Sequence, residues 1–352
     1  MEVLMAEDKN KLHGLSKQAE AVKLSSINLE LSSQCNLNCA NCFRRTYSGA
    51  GKDELIDIKI LKTIVKDLNS LSSIDLTGWG EPLLHPDFSQ ILNLLRSNFS
   101  GTLSFTTNGV LLNPALIQAI LKTKVDIICF SIDAGEELTY QKLRGGYWAQ
   151  VKSAISLLVE EKKKQKSSSP RLYASFLLRK DNFFELLSFC EKIWGLGMQG
   201  VILQQLTGIF NQEQLNQITY SGYYGADFKD ETLWDLINQL KKEFAQKLDI
   251  IGPERIYSEI QGGCGAFPLG HFFIKANGEV SPCCALGYPA LLLDRKRKPK
   301  TPRLLILGDL KKQGLNQIWQ GESAVNFRKE MLKKGYAQAC QDCIGLYLRR
   351  EL

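Results

Sequence analysis

The sequence predicts an α/β protein: a partial (β/α)6 barrel followed by a small, cysteine-rich C-terminal domain. Runs of β-branched residues alternate with amphipathic helical stretches between residues 26 and 206. Glycine and polar residues cluster where the predicted strands end. From about Gly262 the pattern changes to short segments with paired cysteines, which indicates a second domain.

The barrel elements follow one another in a regular order. The predicted strands are Ser26–Ser33, Ser73–Thr77, Thr102–Thr106, Val125–Ile132, Leu172–Leu178 and Gln199–Leu206. The predicted helices are Asp57–Leu68, Pro86–Asn98, Pro114–Thr123, Trp148–Lys164 and Phe183–Leu196. Alternating βα units favour a parallel sheet covered by helices. Because the repeats fall short of the eight that close a full barrel, we expect an open barrel with its chemistry at the carboxyl ends of the strands.

Four regions are predicted along the chain. Residues 1–25 form an N-terminal extension, 26–206 the partial barrel, 207–258 a connector with a helix at Glu231–Lys247, and 259–352 the small domain. The last region has little apolar sequence for a core of its own. We therefore expect a metal site to stabilise it.

Composition excludes several classes of protein. Of the 352 residues, 44% are hydrophobic and 23% are charged, which excludes disordered and fibrous proteins. The net charge of +7 is too modest to indicate a nucleic-acid partner. An apolar run of about 18 residues is missing, so no membrane span is predicted. The N-terminus lacks the apolar segment of a secretory signal, which predicts a cytoplasmic protein. Ten cysteines in a reducing compartment indicate metal or redox sites.

Cys35, Cys39 and Cys42 form a C-x3-C-x2-C motif directly after the first strand. Thiolates are the usual ligands of iron–sulfur cubanes, which normally take four. With three local ligands, one iron would stay open for a substrate or cofactor. The alternative is a zinc site completed by a remote cysteine or histidine.

The motif and the strand ends together carry a family resemblance. The segment Cys35-Asn36-Leu37-Asn38-Cys39-Ala40-Asn41-Cys42-Phe43 resembles the signature of radical S-adenosylmethionine (SAM) enzymes. Trp79-Gly80-Glu81-Pro82 resembles that family's GGEP segment, with Gly78-Trp79 in place of the usual Gly-Gly. Thr106-Thr107-Asn108-Gly109 is similar to its TNG segment, and Ser131-Ile132-Asp133 ends the fourth strand as in the family. Taken singly these are ordinary turn residues, but their shared order indicates the family.

The resemblance implies roles for individual residues. Oxygens of the segment from Trp79 to Pro82, with Glu81 among them, would hold the methionine amino group, and Arg144 would meet the methionine carboxylate. Asn108 and Asn182 would lie near the nucleoside. Ser131 and Asp133 would point into the barrel. The implied chemistry is reduction of SAM by a [4Fe–4S] cluster with an open iron site, after which a 5′-deoxyadenosyl radical abstracts a substrate hydrogen.

A second set of cysteines, Cys264, Cys283, Cys340 and Cys343, belongs to the C-terminal region. An Asn-Gly hairpin at Asn277-Gly278 would bring its base cysteines together, and C-x2-C supplies the other pair. Four thiolates fit either zinc or a fully ligated iron–sulfur cluster. The segment resembles the twitch or short SPASM region found behind radical SAM barrels. The resemblance implies one auxiliary [4Fe–4S] cluster, with a zinc ribbon as the alternative.

Three further features carry hypotheses. Cys284, beside Cys283, is a candidate hydrogen-atom donor in the substrate cavity, with a buried inert thiol as the alternative. Cys129 and Cys190 are predicted core residues. The basic run Arg295–Arg303 is interpreted as a solvated loop, or else as a docking site for an acidic electron donor or an acidic leader peptide.

Three reactions remain open from the sequence. The first is modification of a ribosomally made peptide by crosslinking, epimerisation or backbone excision such as tyramine splicing. The N-terminal extension is too short for a leader-recognition domain, so this reaction would need a separate recognition protein. The second is oxidation of a small sugar or aminocyclitol alcohol. The third is a zinc-binding protein on a degenerate barrel. Either enzyme would take electrons from a flavodoxin or ferredoxin.

Overall fold

The central sheet confirms the predicted α/β class. The computed structural model describes residues 15–47, 49, 52–225, 231–261, 264, 269–301 and 303–349, so most of the predicted N-terminal extension lies outside the described residues. The first six strands are β1 (Ser26–Leu29), β2 (Ser73–Asp75), β3 (Thr102–Thr107), β4 (Ile127–Ser131), β5 (Arg171–Leu178) and β6 (Gly200–Gln205). They pair in parallel in chain order, as the six repeats predict.

Helices connect these strands and begin at identifiable caps. They are α1 (Ile58–Ile64), α2 (Phe88–Asn98), α3 (Pro114–Lys122), α4 (Glu137–Arg144), α5 (Trp148–Lys164) and α6 (Leu186–Gly195). The Asp57 carboxylate accepts the Lys59 N–H, and the Asn113 side chain accepts the Leu116 N–H, which satisfies donors that helix starts leave open. Helix α4 was not predicted. It ends at Arg144 and is capped by Gly145, whose φ of 75° suits glycine.

The sheet continues beyond the six predicted strands at both edges. β7 (Asp249–Ile251) pairs in parallel with β6, and β9 (His271–Ile274) pairs in parallel with β1. β10 (Glu279–Ser281) returns antiparallel to β9, which confirms the predicted hairpin, and β13 (Gly308–Asp309) follows it. Among the described residues the sheet therefore has ten strands. The barrel and the C-terminal region share one sheet.

The remaining elements surround the C-terminal cysteines. They are α7 (Gln212–Gln217), α8 (Glu231–Glu243), α9 (Cys284–Gly287), α10 (Leu315–Gln320), α11 (Glu322–Lys334), and the strand pairs β8 (Arg255–Ile256) with β14 (Leu348–Arg349) and β11 (Leu292–Leu293) with β12 (Pro299–Lys300). A second apolar core forms here, in which Tyr220, Tyr223 and Tyr224 are buried. Cys190 is buried in the main core as predicted, whereas Cys129 is only partly buried.

Candidate active site

The N-terminal cysteines lie on the loop that follows β1, and we call residues 35–42 the cysteine loop. The Cys42 N–H donates to the Cys39 carbonyl at 3.2 Å. Burial raises the pKa of Cys35 to about 11 and also raises the pKa of Cys42, and the charges of neighbouring thiols add to both shifts. The thiols are therefore close enough to perturb one another. A metal would have to displace their protons, and a set of three soft donors suits an iron–sulfur cluster.

Polar contacts from three other parts of the chain fix the cysteine loop. The Asn108 amide, after β3, donates to the Asn36 side-chain oxygen at 2.8 Å. The Ala40 N–H donates to the Leu143 carbonyl of α4 at 2.9 Å, and its carbonyl accepts the Gln214 amide of α7 at 3.2 Å. Asn108 thus lies beside the cysteine loop.

Arg179 adds a buried charge to this support. Its side chain is 1% exposed and follows β5. The guanidinium donates to the Asn41 side chain and to the Glu213 carboxylate, both at 2.7 Å, and to Asp181 at 2.7 Å. One residue therefore ties the cysteine loop to β5 and α7. Sequence reasoning missed it.

Arg144 lies directly against the cysteine loop. Its Nη2 is 2.5 Å from the Asp133 carboxylate, and its Nη1 is 3.8 Å from the Cys39 sulfur. Burial acts to lower the pKa of Arg144, but the charges of Asp133 and Cys39 outweigh it and raise that pKa. The guanidinium therefore stays charged. Asp133 is itself buried, at a φ of 63°, and also accepts the Leu177 N–H at 2.8 Å.

Two buried donors beside Cys39 test whether SAM fits here. Within the described residues, Arg144 Nε and the Tyr140 hydroxyl have no hydrogen-bond partner. Burial raises the pKa of Tyr140 to about 12, so its hydroxyl keeps its proton. An unsatisfied buried donor costs about 1–3 kcal/mol, and a carboxylate can accept hydrogen bonds from donors of both kinds. The arrangement therefore fits the methionine end of SAM.

The Glu81 carboxylate accepts its hydrogen bonds from protein donors. Its carboxylate accepts the Leu83 N–H at 3.1 Å, the Thr107 hydroxyl at 2.7 Å and the Asn108 N–H at 2.8 Å. The side chain is 2% exposed, and burial raises its pKa. Glu81 therefore joins the ends of β2 and β3 and sets the position of Asn108.

The residues around Glu81 shape the same turn. A Cβ on Gly80 would lie 2.2 Å from the Gln34 carbonyl oxygen, so glycine is required where this turn approaches the cysteine loop. Pro82 begins a short 3-10 helix, Pro82–Leu84. The backbone of this turn is therefore held against the loop that carries the cysteines.

The Asn182 side chain also forms its hydrogen bonds with protein groups. The fully buried amide donates to the carbonyls of Asp133 and Leu177, and its oxygen accepts the Arg179 N–H at 2.8 Å. It therefore orders the turn after β5. Ser131, at the end of β4, is partly buried.

Polar residues alternate with buried apolar ones along the inner strands. Partly buried positions include Asn28, Asp75, Ser104, Cys129 and Ser131. Asp75 accepts the Ser104 hydroxyl at 2.8 Å, and its charge raises the pKa of Cys129 further after burial has raised it. Since alternate residues of a strand share a face, the barrel interior is polar rather than filled with apolar side chains.

Trp79 connects the barrel to the C-terminal region. Its backbone N–H donates to the fully buried Glu30 carboxylate at 2.7 Å, and its ring lies 4.8 Å from that of Tyr288. Its side chain lies near the Cys284 thiol and counteracts part of the rise in the pKa of that thiol. Cys284 keeps solvent access, yet surrounding protein raises its pKa by desolvation. Both observations agree with a thiol that faces a water-accessible internal space.

The C-terminal cysteines also lie together. Burial raises the pKa of Cys340 to about 11 and that of Cys343 to about 12, and the charge of Cys264 adds to both. Burial likewise raises the pKa of Cys283, with a further contribution from Cys343. A Cβ on Gly345 would be 3.3 Å from the Cys343 sulfur and 3.4 Å from the Cys264 sulfur, so this glycine lies between two thiols. The donor set fits an iron–sulfur cluster.

The described residues contain neither a membrane-spanning helix nor a site for a single metal ion. In the part of the chain that is described, no helix is long and apolar enough to cross a membrane. Across the same residues, no three His, Cys, Asp or Glu side chains converge on one metal ion. A four-iron cluster instead spreads its thiolate ligands over several metal atoms.

Comparison with known families identifies the class of protein. Residues 29–191 match the radical SAM superfamily, and residues 264–344 match the SPASM iron–sulfur cluster-binding domain. The chain belongs to the radical SAM superfamily and carries a SPASM domain, so it is an enzyme that uses SAM, a [4Fe–4S] cluster and auxiliary iron–sulfur chemistry. The hypothesis of a non-enzymatic zinc protein loses its support.

Two similar proteins match most of the length of the chain. The chain is 26% identical over 326 residues to the tungsten-containing aldehyde ferredoxin oxidoreductase cofactor-modifying protein of Pyrococcus furiosus, covering 90% of this chain and 86% of that protein. It is 23% identical to the AdoMet-dependent heme synthase of Methanosarcina barkeri, covering 85% and 82%.

Solved structures share the fold at lower identity. SuiB of Streptococcus suis bound to S-adenosylmethionine superposes with a TM-score of 0.65 at 14% identity, covering 92% of this chain and 72% of that chain. The enzyme anSMEcpe bound to AdoMet and a peptide gives 0.61 at 18% identity, covering 92% and 88%.

Proposed function

We propose that the enzyme directs its radical chemistry at a ribosomally made peptide. The main observation for the radical chemistry is the cysteine loop, which is fixed at the open end of a polar barrel interior. It lies beside Arg144 and Tyr140, each of which has an unsatisfied buried donor. Support for a peptide comes from proteins of the same fold, since SuiB has been solved with its precursor peptide SuiA and anSMEcpe with a peptide. Crosslinking, epimerisation and backbone excision all fit such a substrate.

The residues at the barrel mouth divide the work of binding SAM. Cys35, Cys39 and Cys42 would hold the [4Fe–4S] cluster, and Arg144 would bind the methionine carboxylate while Asp133 orients it. When bound, the cluster and SAM supply the 5′-deoxyadenosyl radical.

The remaining contacts would come from the strand ends. Backbone carbonyls of the turn Trp79–Pro82 would receive the methionine amino group. Asn108 would face the nucleoside side, and Ser131 would be a further donor to the methionine carboxylate beside Arg144. Asn182 would act by ordering the turn after β5.

The C-terminal region would hold one auxiliary [4Fe–4S] cluster. Cys264, Cys283, Cys340 and Cys343 are its proposed ligands, within a domain at 259–352 that follows the barrel (26–206) and the connector (207–258). Cys284 would return a hydrogen atom to substrate, and its solvent access supports this role. A separate leader-recognition protein, a flavodoxin or ferredoxin donor and a cytoplasmic location complete the proposal.

A second candidate is maturation of a cofactor in another oxidoreductase. The relative from Pyrococcus furiosus favours it, because that protein matches nearly the full chain and is named a cofactor-modifying protein. The two candidates share the radical step and differ in what enters the barrel.

Anaerobic reconstitution tests both parts of the proposal. Replacing Cys35, Cys39 and Cys42 by alanine should remove about four irons per chain and abolish 5′-deoxyadenosine formation. Retained cleavage of SAM would contradict the assigned ligands. Mass spectrometry of candidate precursor peptides after reaction should show a mass change that depends on SAM. A change confined to a cofactor precursor would favour the second candidate.

A further inference from the structure

A short basic hairpin stands out on the surface of the C-terminal region. Strands β11 and β12 enclose a turn in which the Asp294 carboxylate accepts the Lys298 N–H at 2.9 Å. We call residues 291–300 the basic hairpin. Its exposed cations are Arg295, Lys296, Arg297, Lys298 and Lys300. The only acid within the hairpin is Asp294, so this small surface is strongly positive.

The basic hairpin is fixed in place, unlike a simple solvated loop. The Leu293 N–H donates to the Ile209 carbonyl at 2.6 Å, and the Leu293 carbonyl accepts the Tyr224 hydroxyl at 3.1 Å. The Arg297 guanidinium donates to the Tyr224 carbonyl at 2.7 Å. The cations are therefore presented on a held scaffold.

Its position is beside the auxiliary-cluster cysteines. Lys300 pairs with Asp342, which lies between Cys340 and Cys343 in the chain. The Arg295 guanidinium lies 5.5 Å from the centre of the Tyr347 ring, four residues beyond Cys343. The hairpin thus contacts the segment that carries two of the proposed ligands.

An apolar residue accompanies the charges. The Leu291 side chain, at the start of the hairpin, is 44% exposed. Interfaces of transient electron-transfer partners are small and combine charge with limited apolar contact. Charged residues on such a surface act mainly on the rate of encounter.

We infer that the basic hairpin is the docking surface for an acidic one-electron carrier protein of the flavodoxin or ferredoxin class. One electron leaves the reduced carrier, which is oxidised, and enters the auxiliary cluster, which is reduced. No bond is made or broken. An acidic leader peptide is the less favoured occupant, because the hairpin contacts the segment that carries two auxiliary cysteines, whereas the substrate radical would form at the open end of the barrel. The inference rests on the proposed cluster ligands but not on a peptide substrate.

Charge reversal with a matched control tests the surface on the reconstituted holoenzyme. The test variant combines Arg295→Glu, Lys296→Glu and Lys298→Glu. The control makes the same change in charge on the outer helix of the barrel and its end, with Lys152→Glu, Lys163→Glu and Lys166→Glu, all exposed. Stopped-flow absorbance follows cluster reduction by reduced flavodoxin at low and high salt, and by dithionite for comparison.

The expected result is specific to the hairpin. At low salt the second-order rate with flavodoxin should fall about tenfold or more in the test variant and less than about twofold in the control. The difference should shrink at high salt, where exposed charges are screened. Dithionite should reduce all three proteins alike, and iron content should be equal. If the test variant loses iron, the set Arg295→Gln, Lys296→Gln and Lys298→Gln replaces it.

Three outcomes would overturn the inference. If reduction by flavodoxin slows equally in both variants, the effect is one of net charge alone. An unchanged rate in the test variant would place docking elsewhere. Charge reversal of the hairpin could instead abolish the binding of a synthetic acidic peptide and leave the rate of reduction by flavodoxin unchanged. That result would assign the surface to a peptide. Because dithionite can still drive SAM cleavage, each outcome is independent of the substrate that the barrel accepts.

Discussion

Replacing Arg144 by lysine tests whether the guanidinium binds the methionine carboxylate. Asp133 engages Nη2 and Cys39 lies beside Nη1, which leaves the unsatisfied Nε among the free donors. Lysine keeps the charge but lacks the planar fork, and Asp133 would engage its ammonium. We expect the loss of one charge-assisted hydrogen bond, about 1.5–3 kcal/mol. That corresponds to a roughly ten- to hundredfold weaker affinity for SAM.

Anaerobic titration of SAM against reconstituted wild type and Arg144→Lys measures the change, and iron content should stay constant. Lys142→Met is the matched control on the same helix. Lys142 is 61% exposed and pairs with Asp181, and such surface pairs contribute less than about 1 kcal/mol. The control should bind SAM like the wild type.

An unchanged affinity of Arg144→Lys, with full iron content, would refute the reasoning. The carboxylate would then be held elsewhere, with Ser131 the next residue to test. Tyr140→Phe gives an independent check, because it removes only the unsatisfied hydroxyl. We expect it to weaken SAM binding by about 0.5–1.5 kcal/mol.

Three further predictions concern the surrounding structure. Cys343→Ala should lower iron from about eight to about four per chain by metal analysis, whereas one zinc beside about four irons in the wild type would favour a zinc ribbon. Arg179→Lys should lower stability by about 1–3 kcal/mol in thermal melts, because lysine loses the fork that reaches Asn41, and an unchanged melting temperature would count against this support. Burial lowers the pKa of His271 to about 4, so its contribution to stability is full above about pH 6.5 and declines as the pH falls towards 4. Thermal melts at about pH 7.5 and 6.0 compare the wild type with His271→Gln. The loss of stability between these pH values should be smaller in the variant, and an equal loss in both proteins would contradict the effect of His271.

Local pattern was sufficient to predict the six parallel strands. Period-2 and period-3.6 hydrophobicity depends on residues a few positions apart, so helix α5 was predicted with its bounds intact. The pairing of β9 with β1 was not predicted, because it joins Ser26 to His271 across the whole barrel sequence. The residue Glu30 was missed for the same reason, since its partners Ala276 and Tyr288 come from the far C-terminal region.

Residues of the candidate site were predictable only where they belong to a sequence motif. Arg144 and Asp133 were singled out from the family pattern, but their ion pair follows from the turn of α4, a helix whose weak apolar pattern hid it. Tyr140 lies on that helix and was therefore missed. Arg179 could have been predicted, because it is a basic residue at the carboxyl end of a predicted strand.

The pairing of β9 with β1 also sets an order of assembly. The ribosome produces β1 early and β9 only after the rest of the barrel. Until then the outer edge of β1 offers unpaired N–H and C=O groups, the kind of edge that recruits strands from other chains. Closing that edge brings together segments 245 positions apart, and such distant pairings form slowly. A barrel made without the C-terminal region would keep the edge of β1 unpaired. The SPASM region therefore covers this edge with β9, in addition to binding iron–sulfur clusters.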